Sequence, residues 1–174
     1  MIKRIKYIVL ALYWRFQNPT KYARHIGVTI GKNCLIATRN WSSEPYLITI
    51  GDNVQVTQDV YFHTHGGSHV ARLRIPNFDV FGKIVVEDNA YIGSCSHIMP
   101  GVTIGKGSLI AAGSIVTRSI PAFEVWGGVP AKYISTIDEY INRNLPFNVN
   151  TKGLSPDKKK AVLLSLPDGK FLKK

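Results

Sequence analysis

From Val86 onward an aliphatic residue returns at every sixth position: Val86, Ile92, Ile98, Ile104, Ile110 and Val116. Glycine or alanine follows directly at Gly93, Gly105 and Ala111, and a small or β-branched residue stands four places on, at Ala90, Ser96, Val102, Ser108 and Ser114. The same phase holds upstream at Ile50, Val56 and Phe62, with Gly51 behind the first and Val54 and Val60 four places on. Ile50 and Val86 stand 36 residues apart, a whole number of hexads. Ile30-Gly31 and Ile36 begin another pair, displaced by two residues around Ser42–Pro45. A period of six is neither that of a helix nor the alternation of a half-buried strand. It fits a solenoid in which each short strand turns one aliphatic residue inward before the chain bends. Three hexads close a triangular coil, so equivalent residues stack every 18 positions, as Val86 and Ile104 do. A β-sandwich would show period two and irregular turns instead. The pattern predicts a mainly β solenoid over about residues 26–137.

The two ends follow other rules. Ile2, Ile5, Val9, Leu12 and Phe16 recur at helical spacing, with Lys3, Lys6 and Arg15 off that stripe, which predicts an amphipathic helix ending before Asn18-Pro19 in an N-terminal segment 1–25. The apolar run Tyr7–Trp14 is eight residues long, against the roughly 20 that a membrane-spanning helix needs. No small-residue cleavage site follows it. Beyond the solenoid, residues 138–174 read as a partly helical extension: Ser155-Pro156 signals a short helix running to Leu166, and Pro167-Asp168-Gly169 a turn.

Charge separates the ends from the middle. The net charge of +11 comes from eight Lys/Arg and no acid before Glu44, and from seven lysines against two aspartates from Lys152 onward. Basic ends suit solubility, an anionic membrane surface or an anionic substrate. Without an aromatic-interleaved recognition motif they do not point to nucleic acid. Two cysteines, Cys34 and Cys95, form no CxxC and no disulfide framework, in keeping with a reducing cytoplasmic setting. Neither a GxxxxGK[ST] loop nor a GxGxxG motif is present.

The hexads stop after Phe62 and resume near Val86, so the chain makes an excursion at about residues 64–82 without losing phase. Function is often carried on such loops. Three of the five histidines, His63, His65 and His69, stand at its entrance. A neutral imidazole suits removal of a proton from an attacking hydroxyl near neutral pH. His25 and His97 read as structural or surface residues.

The segments Ile-Gly-Asp-Asn-Val (50–54), Ile-Met-Pro-Gly-Val-Thr-Ile-Gly (98–105) and Ala-Gly-Ser-Ile-Val-Thr (112–117) resemble the hexapeptide-repeat acyltransferases, most of all the sugar and capsular-polysaccharide O-acetyltransferases. The resemblance implies a left-handed parallel β-helix, a homotrimer with active sites between subunits, and an acetyl group moved from acetyl-CoA directly to a carbohydrate hydroxyl. Phe62-His63-Thr64-His65-Gly66-Gly67 matches the family's Thr-His-Gly-containing stretch, so His65 is the implied general base. Relatives often carry Asp where Gly66 stands, which leaves the partner of His65 open. Gly127-Gly128-Val129-Pro130-Ala131-Lys132 resembles the family's Gly-x-Pro-Ala-Lys/Arg ending. By the same match Ser94, Ala112, Thr117, Arg118 and Lys132 are implied in cofactor binding, with Arg118 and Lys132 toward phosphates; a turn out of the solenoid is the alternative role for 127–130. Tyr91 stands where related sugar acetyltransferases often carry Trp beside the active site, and Asn40 lies near the first break in the hexads; both are candidate acceptor contacts.

No metal is expected. A zinc enzyme of the γ-carbonic-anhydrase type would need three converging histidines, and the spacing of His65, His69 and His97 does not match that pattern. Acetylation of a free sugar, serine or antibiotic and a non-catalytic binding solenoid remain as alternatives. A cytoplasmic protein touching the inner membrane face through its basic N-terminal helix fits the charge.

Overall fold

A computed structural model describes residues 17–173. The amphipathic stripe Ile2–Phe16 lies outside the described residues. The first element is α1 (Pro19–His25), where Asn18 Oδ1 accepts the Thr20 N–H at 2.9 Å and Pro19 occupies the first turn. Pro19, read from the sequence only as a helix stop, begins one, because a first-turn position needs no N–H donor. Ala23 of this helix is fully buried and joins the solenoid core.

Three parallel sheets then form the walls of a triangular coil. The first contains β1 (Thr29–Ile30), β4 (Ile48–Ile50), β7 (Ile84–Val86) and β10 (Thr103–Ile104). The second contains β2 (Leu35–Ile36), β5 (Gln55–Val56), β8 (Tyr91–Ile92) and β11 (Leu109–Ile110), closed by β13 (Glu124–Gly127) and the antiparallel β14 (Lys132–Thr136). The third contains β3 (Asn40–Trp41), β6 (Tyr61–Phe62), β9 (His97–Ile98) and β12 (Ile115–Val116). Successive hexads land on successive walls, so residues 18 apart pair: Val86 with Ile104, Ile92 with Ile110, Ile98 with Val116.

All six of those aliphatic residues are fully buried, and the residues four places on, from Ala90 to Ser114, are at most 2% exposed. Each inward residue contributes about 1.5–3 kcal/mol of burial. Trp41 and Phe62 continue the stack as parallel rings 4.8 Å apart. The corners require a left-handed residue, and the sequence supplies side chains that tolerate it: Asn53, Asn89 and Gly107 at one corner, Asp59, Cys95 and Gly113 at the next. The architecture is the left-handed parallel β-helix that the resemblance implies.

Residues 138–174 form a separate unit. Here α3 (Ile137–Asn144) continues from β14, and α4 (Pro156–Ser165) starts where the Ser155 hydroxyl accepts the Lys158 N–H. An apolar groove of about 500 Å³ in this unit is lined by Tyr140, Leu145, Phe147, Leu163 and Phe171, among others. Among the described residues no helix is long and apolar enough to cross a membrane.

Candidate active site

After Phe62 turns inward, the chain leaves the third wall and returns at β7. The stem of this excursion is paired with itself. The Gly82 N–H donates to the Thr64 carbonyl at 2.8 Å, and His65 and Phe81 form an antiparallel bridge. Gly82 is required by close approach, since a Cβ there would lie 2.2 Å from the Gly101 nitrogen. The tip holds α2 (Ser68–Ala71), and Arg72 ties the far strand down: its Nε donates to the Phe78 carbonyl at 2.9 Å and its Nη2 lies 3.3 Å from Asp79 Oδ1.

His65 is therefore held on a paired stem rather than on a loose loop. Its Nδ1 lies 2.7 Å from Glu44 Oε2, and its ring meets Phe81 edge-on at 5.7 Å between centroids. The same Glu44 oxygen accepts the Thr64 hydroxyl at 2.6 Å. Thr64 is fully buried, and its Oγ1 also lies 2.7 Å from Ser42 Oγ. A carboxylate only accepts, so the Thr64 proton goes to Glu44 and the Ser42 hydroxyl supplies the bond between the two hydroxyls. The Thr64 hydroxyl, ahead of hydrogen bonds from His65 and Ser43, holds the Glu44 carboxyl below its ordinary range, against partial burial that pushes it up.

An ionised Glu44 can only accept from Nδ1–H. That assigns the neutral imidazole its tautomer and leaves the Nε2 lone pair free, the arrangement a general base needs. Nε2 has no hydrogen-bond partner among the described residues, and the side chain is 37% exposed. A cleft of about 310 Å³ opens beside it, lined by Glu44, Gly66, Gly67, Arg72, Asp79 and Phe81, among others.

Glu44 is the residue that the sequence left open as the partner of His65. Trp41 pairs with Phe62, and Glu44 and His65 each lie three residues beyond. They are equivalent corner residues of consecutive coils.

His63 and His97 stand beside the site but have another arrangement. Their rings stack at 5.2 Å, with His63 Nε2 2.9 Å from His97 Nδ1, and Tyr61 stacks on His97 at 4.9 Å. Burial, then the neighbouring His97 and His65, lowers the pKa of His63 below the usual histidine value. His69 is exposed at the rim of the cleft. Among the described residues no three His, Cys, Asp or Glu side chains gather as a metal site would require.

The other sequence-derived residues occupy different parts of the coil. Ser94 and Ala112 stack at the corner between the second and third walls, where the Gly113 N–H donates to the Ser94 carbonyl at 2.8 Å. The Ser94 hydroxyl donates to Thr57 Oγ1 at 3.1 Å. Thr117 and Arg118 are exposed at the following corner, the one His65 occupies in its own coil, and Lys132 is exposed at the start of β14. Small side chains at the Ser94–Ala112 corner leave room for a thin pantetheine arm, and the exposed Arg118 and Lys132 carry charge that suits phosphates, with Arg118 at a different corner of the chain from Ser94. Asn40 starts β3 and pairs with Tyr61 on the third wall. Tyr91 lies on the second wall, between Gln55 and Leu109, away from the His65 corner of the same chain.

Comparison with known proteins agrees with this architecture. The bacterial transferase hexapeptide family (six repeats) matches residues 83–118. Protein CapG of Staphylococcus aureus is 40% identical over 146 residues, covering 82% of this chain and 85% of that protein. Galactoside O-acetyltransferase of Escherichia coli K12 is 36% identical over 122 residues, covering 70% of this chain and 60% of that protein. The solved structure of a galactoside acetyltransferase in complex with coenzyme A superposes with a TM-score of 0.57 at 27% identity, covering 80% of this chain and 83% of that one. The chain belongs to the hexapeptide-repeat acetyltransferase family.

Proposed function

We propose that the protein transfers the acetyl group of acetyl-CoA to a hydroxyl of a carbohydrate, a surface-polysaccharide sugar or its precursor, with His65 as general base. The observation that carries this reading is the Glu44 carboxylate 2.7 Å from His65 Nδ1, beside an open cleft. Acetyl-CoA supplies an activated thioester, so no covalent enzyme intermediate is needed. His65 Nε2 takes the proton of the acceptor hydroxyl as its oxygen attacks the thioester carbonyl carbon. The C–O bond forms, the C–S bond breaks, and the departing thiolate takes the proton back from the imidazolium. Glu44 stabilises that transient imidazolium and keeps the ring in register. The name of the galactoside-acetylating relative supports a sugar acceptor.

The site is best read as shared between copies in a homotrimer. Ser94 and Ala112 lie at one edge of the third wall and His65 at the other. A neighbouring chain that brings the first edge to the second would complete the site. An acetyl-CoA donor and the basic chain ends support a cytoplasmic reaction at the inner membrane face. The test is direct: incubate the protein with acetyl-CoA and a panel of glycosides, then measure thiol release and the mass of the product. An O-acetyl ester formed in step with thiol supports the reading; thiol-free incubations with every sugar defeat it.

A further inference from the structure

The fixed charges in the wall of the His65 cleft are already engaged with one another. Glu44 accepts from Thr64 and His65, and Asp79 lies 3.3 Å from Arg72, whose Nε is occupied by the Phe78 carbonyl. The remaining titratable side chain in the lining is His69, exposed at the rim. An acceptor bearing a carboxylate, sulfate or phosphate would compete with Asp79 for Arg72. One bearing an ammonium group would compete with His65 for Glu44. Each would compete with a contact that the cleft wall already makes. A neutral, hydroxyl-bearing acceptor competes with neither.

Two residues shape the space that remains. Phe81 is 47% exposed although it is paired through its backbone to His65, and its ring stands edge-on to the imidazole. A large aromatic ring held half-exposed beside polar groups offers an apolar platform for the C–H face of a sugar ring. Gly66 adjoins His65, and a Cβ placed there would meet nothing within 4 Å. Its φ is outside the left-handed region, so the backbone does not demand glycine. What the missing side chain provides is room. The cleft volume of about 310 Å³ sits at the lower end of the ~300–1,000 Å³ usual for ligand pockets, which suits a single ring.

We propose that the acceptor is a neutral sugar ring lying with its C–H face on Phe81, filling the space beside Gly66 and presenting one hydroxyl to His65 Nε2. This rests on the acetyl-transfer reading above. Phe81 and Gly66 are then the residues that set acceptor choice. The hydroxyl proton passes to Nε2, the new ester C–O bond replaces the thioester C–S bond, and free thiol is released.

The experiment measures steady-state kinetics with acetyl-CoA and three matched acceptors: a neutral methyl hexoside, the corresponding uronic acid and the corresponding amino sugar. The neutral sugar should be preferred in kcat/KM. Phe81→Ala should raise the acceptor KM about tenfold, the loss of one aromatic contact, and Phe81→Tyr should restore it. Gly66→Leu should raise the acceptor KM while the KM for acetyl-CoA and the melting temperature stay at their wild-type values. Gly66→Ala, a smaller intrusion, should give a smaller rise. Preference for a charged acceptor, or wild-type acceptor KM in both Phe81→Ala and Gly66→Leu, overturns this proposal alone. Failure of the wild type to acetylate any sugar overturns the acetyl-transfer reading together with it.

Discussion

Glu44 and His65 stand one coil apart, each three residues beyond a stacked aromatic, and the Glu44 carboxylate accepts the Nδ1 proton of His65 at 2.7 Å. The pairing follows from the solenoid itself, because equivalent corners of successive coils lie one above the other. Glu44→Ala removes the acceptor and frees the imidazole to take the other tautomer. We expect kcat to fall by about ten- to a hundredfold, part of the 10²–10⁴ that a positioned base contributes, with the KM for acetyl-CoA unchanged. Glu44→Gln should lose less, since an amide oxygen still accepts from Nδ1–H. Equal losses in the two variants would show that accepting this proton is not what Glu44 does.

Gly82 joins fold to site. Its N–H closes the excursion stem on Thr64, and its Cα packs against the Gly101 backbone so closely that a Cβ would lie 2.2 Å from nitrogen. Gly82→Ala must push the two segments apart, at a cost of about 1–3 kcal/mol for overpacking. The displacement reaches His65 through its bridge to Phe81, so activity should fall together with stability. Thermal unfolding and thiol-release assays on the same preparation check this; wild-type values in both would mean that the stem accommodates the methyl group.

Ile98 lies at the middle of the third wall, between Phe62 and Val116, and is fully buried. Ile98→Ala should cost about 2–5 kcal/mol in denaturant unfolding, the usual range for a large-to-small change in a rigid core. A loss below 1 kcal/mol would mean that the coils collapse around the gap.

His63 gives stability a pH dependence with a definite sign. Its pKa is lowered in the folded protein by burial and by the neighbouring His97 and His65. Between the folded value and the unfolded one near 6.5, the unfolded chain binds more protons, so stability rises with pH across that window. The contribution is complete above the unfolded value and is lost as pH falls toward the folded one. Melting temperatures measured from pH 8 to pH 5, in steps of about one unit through the usual histidine range, should fall more steeply in the wild type than in His63→Asn. Parallel curves would contradict this assignment.

The six-residue period was enough to read the walls, because burial of Val86, Ile92, Ile98 and their successors depends on nothing but spacing and side-chain type. Glu44 was hidden by one short corner. Ile36 to Trp41 is five residues where Val56 to Phe62 is six, so counting by hexads loses register just before Glu44. Thr38 bridges that shorter corner by donating to the Val60 carbonyl at 2.6 Å. Counted instead from Trp41, Glu44 falls opposite His65. The helix at Pro19 was missed for a different reason: proline stops a helix and starts one equally well, and Asn18 ahead of it decides which. Ser94, Ala112, Thr117 and Arg118 were chosen by motif, and the single chain distributes them over two corners.

The proposed reaction turns on His65 withdrawing the acceptor proton. The measurement that tests it most directly is ester formation from acetyl-CoA and a neutral hexoside by the wild type and by His65→Ala, each checked for native melting behaviour. We expect an O-acetylated sugar from the wild type and a rate lower by about 10²–10⁴ in the variant, with acetyl-CoA still bound. A folded His65→Ala protein that acetylates the sugar at close to the wild-type rate would contradict it.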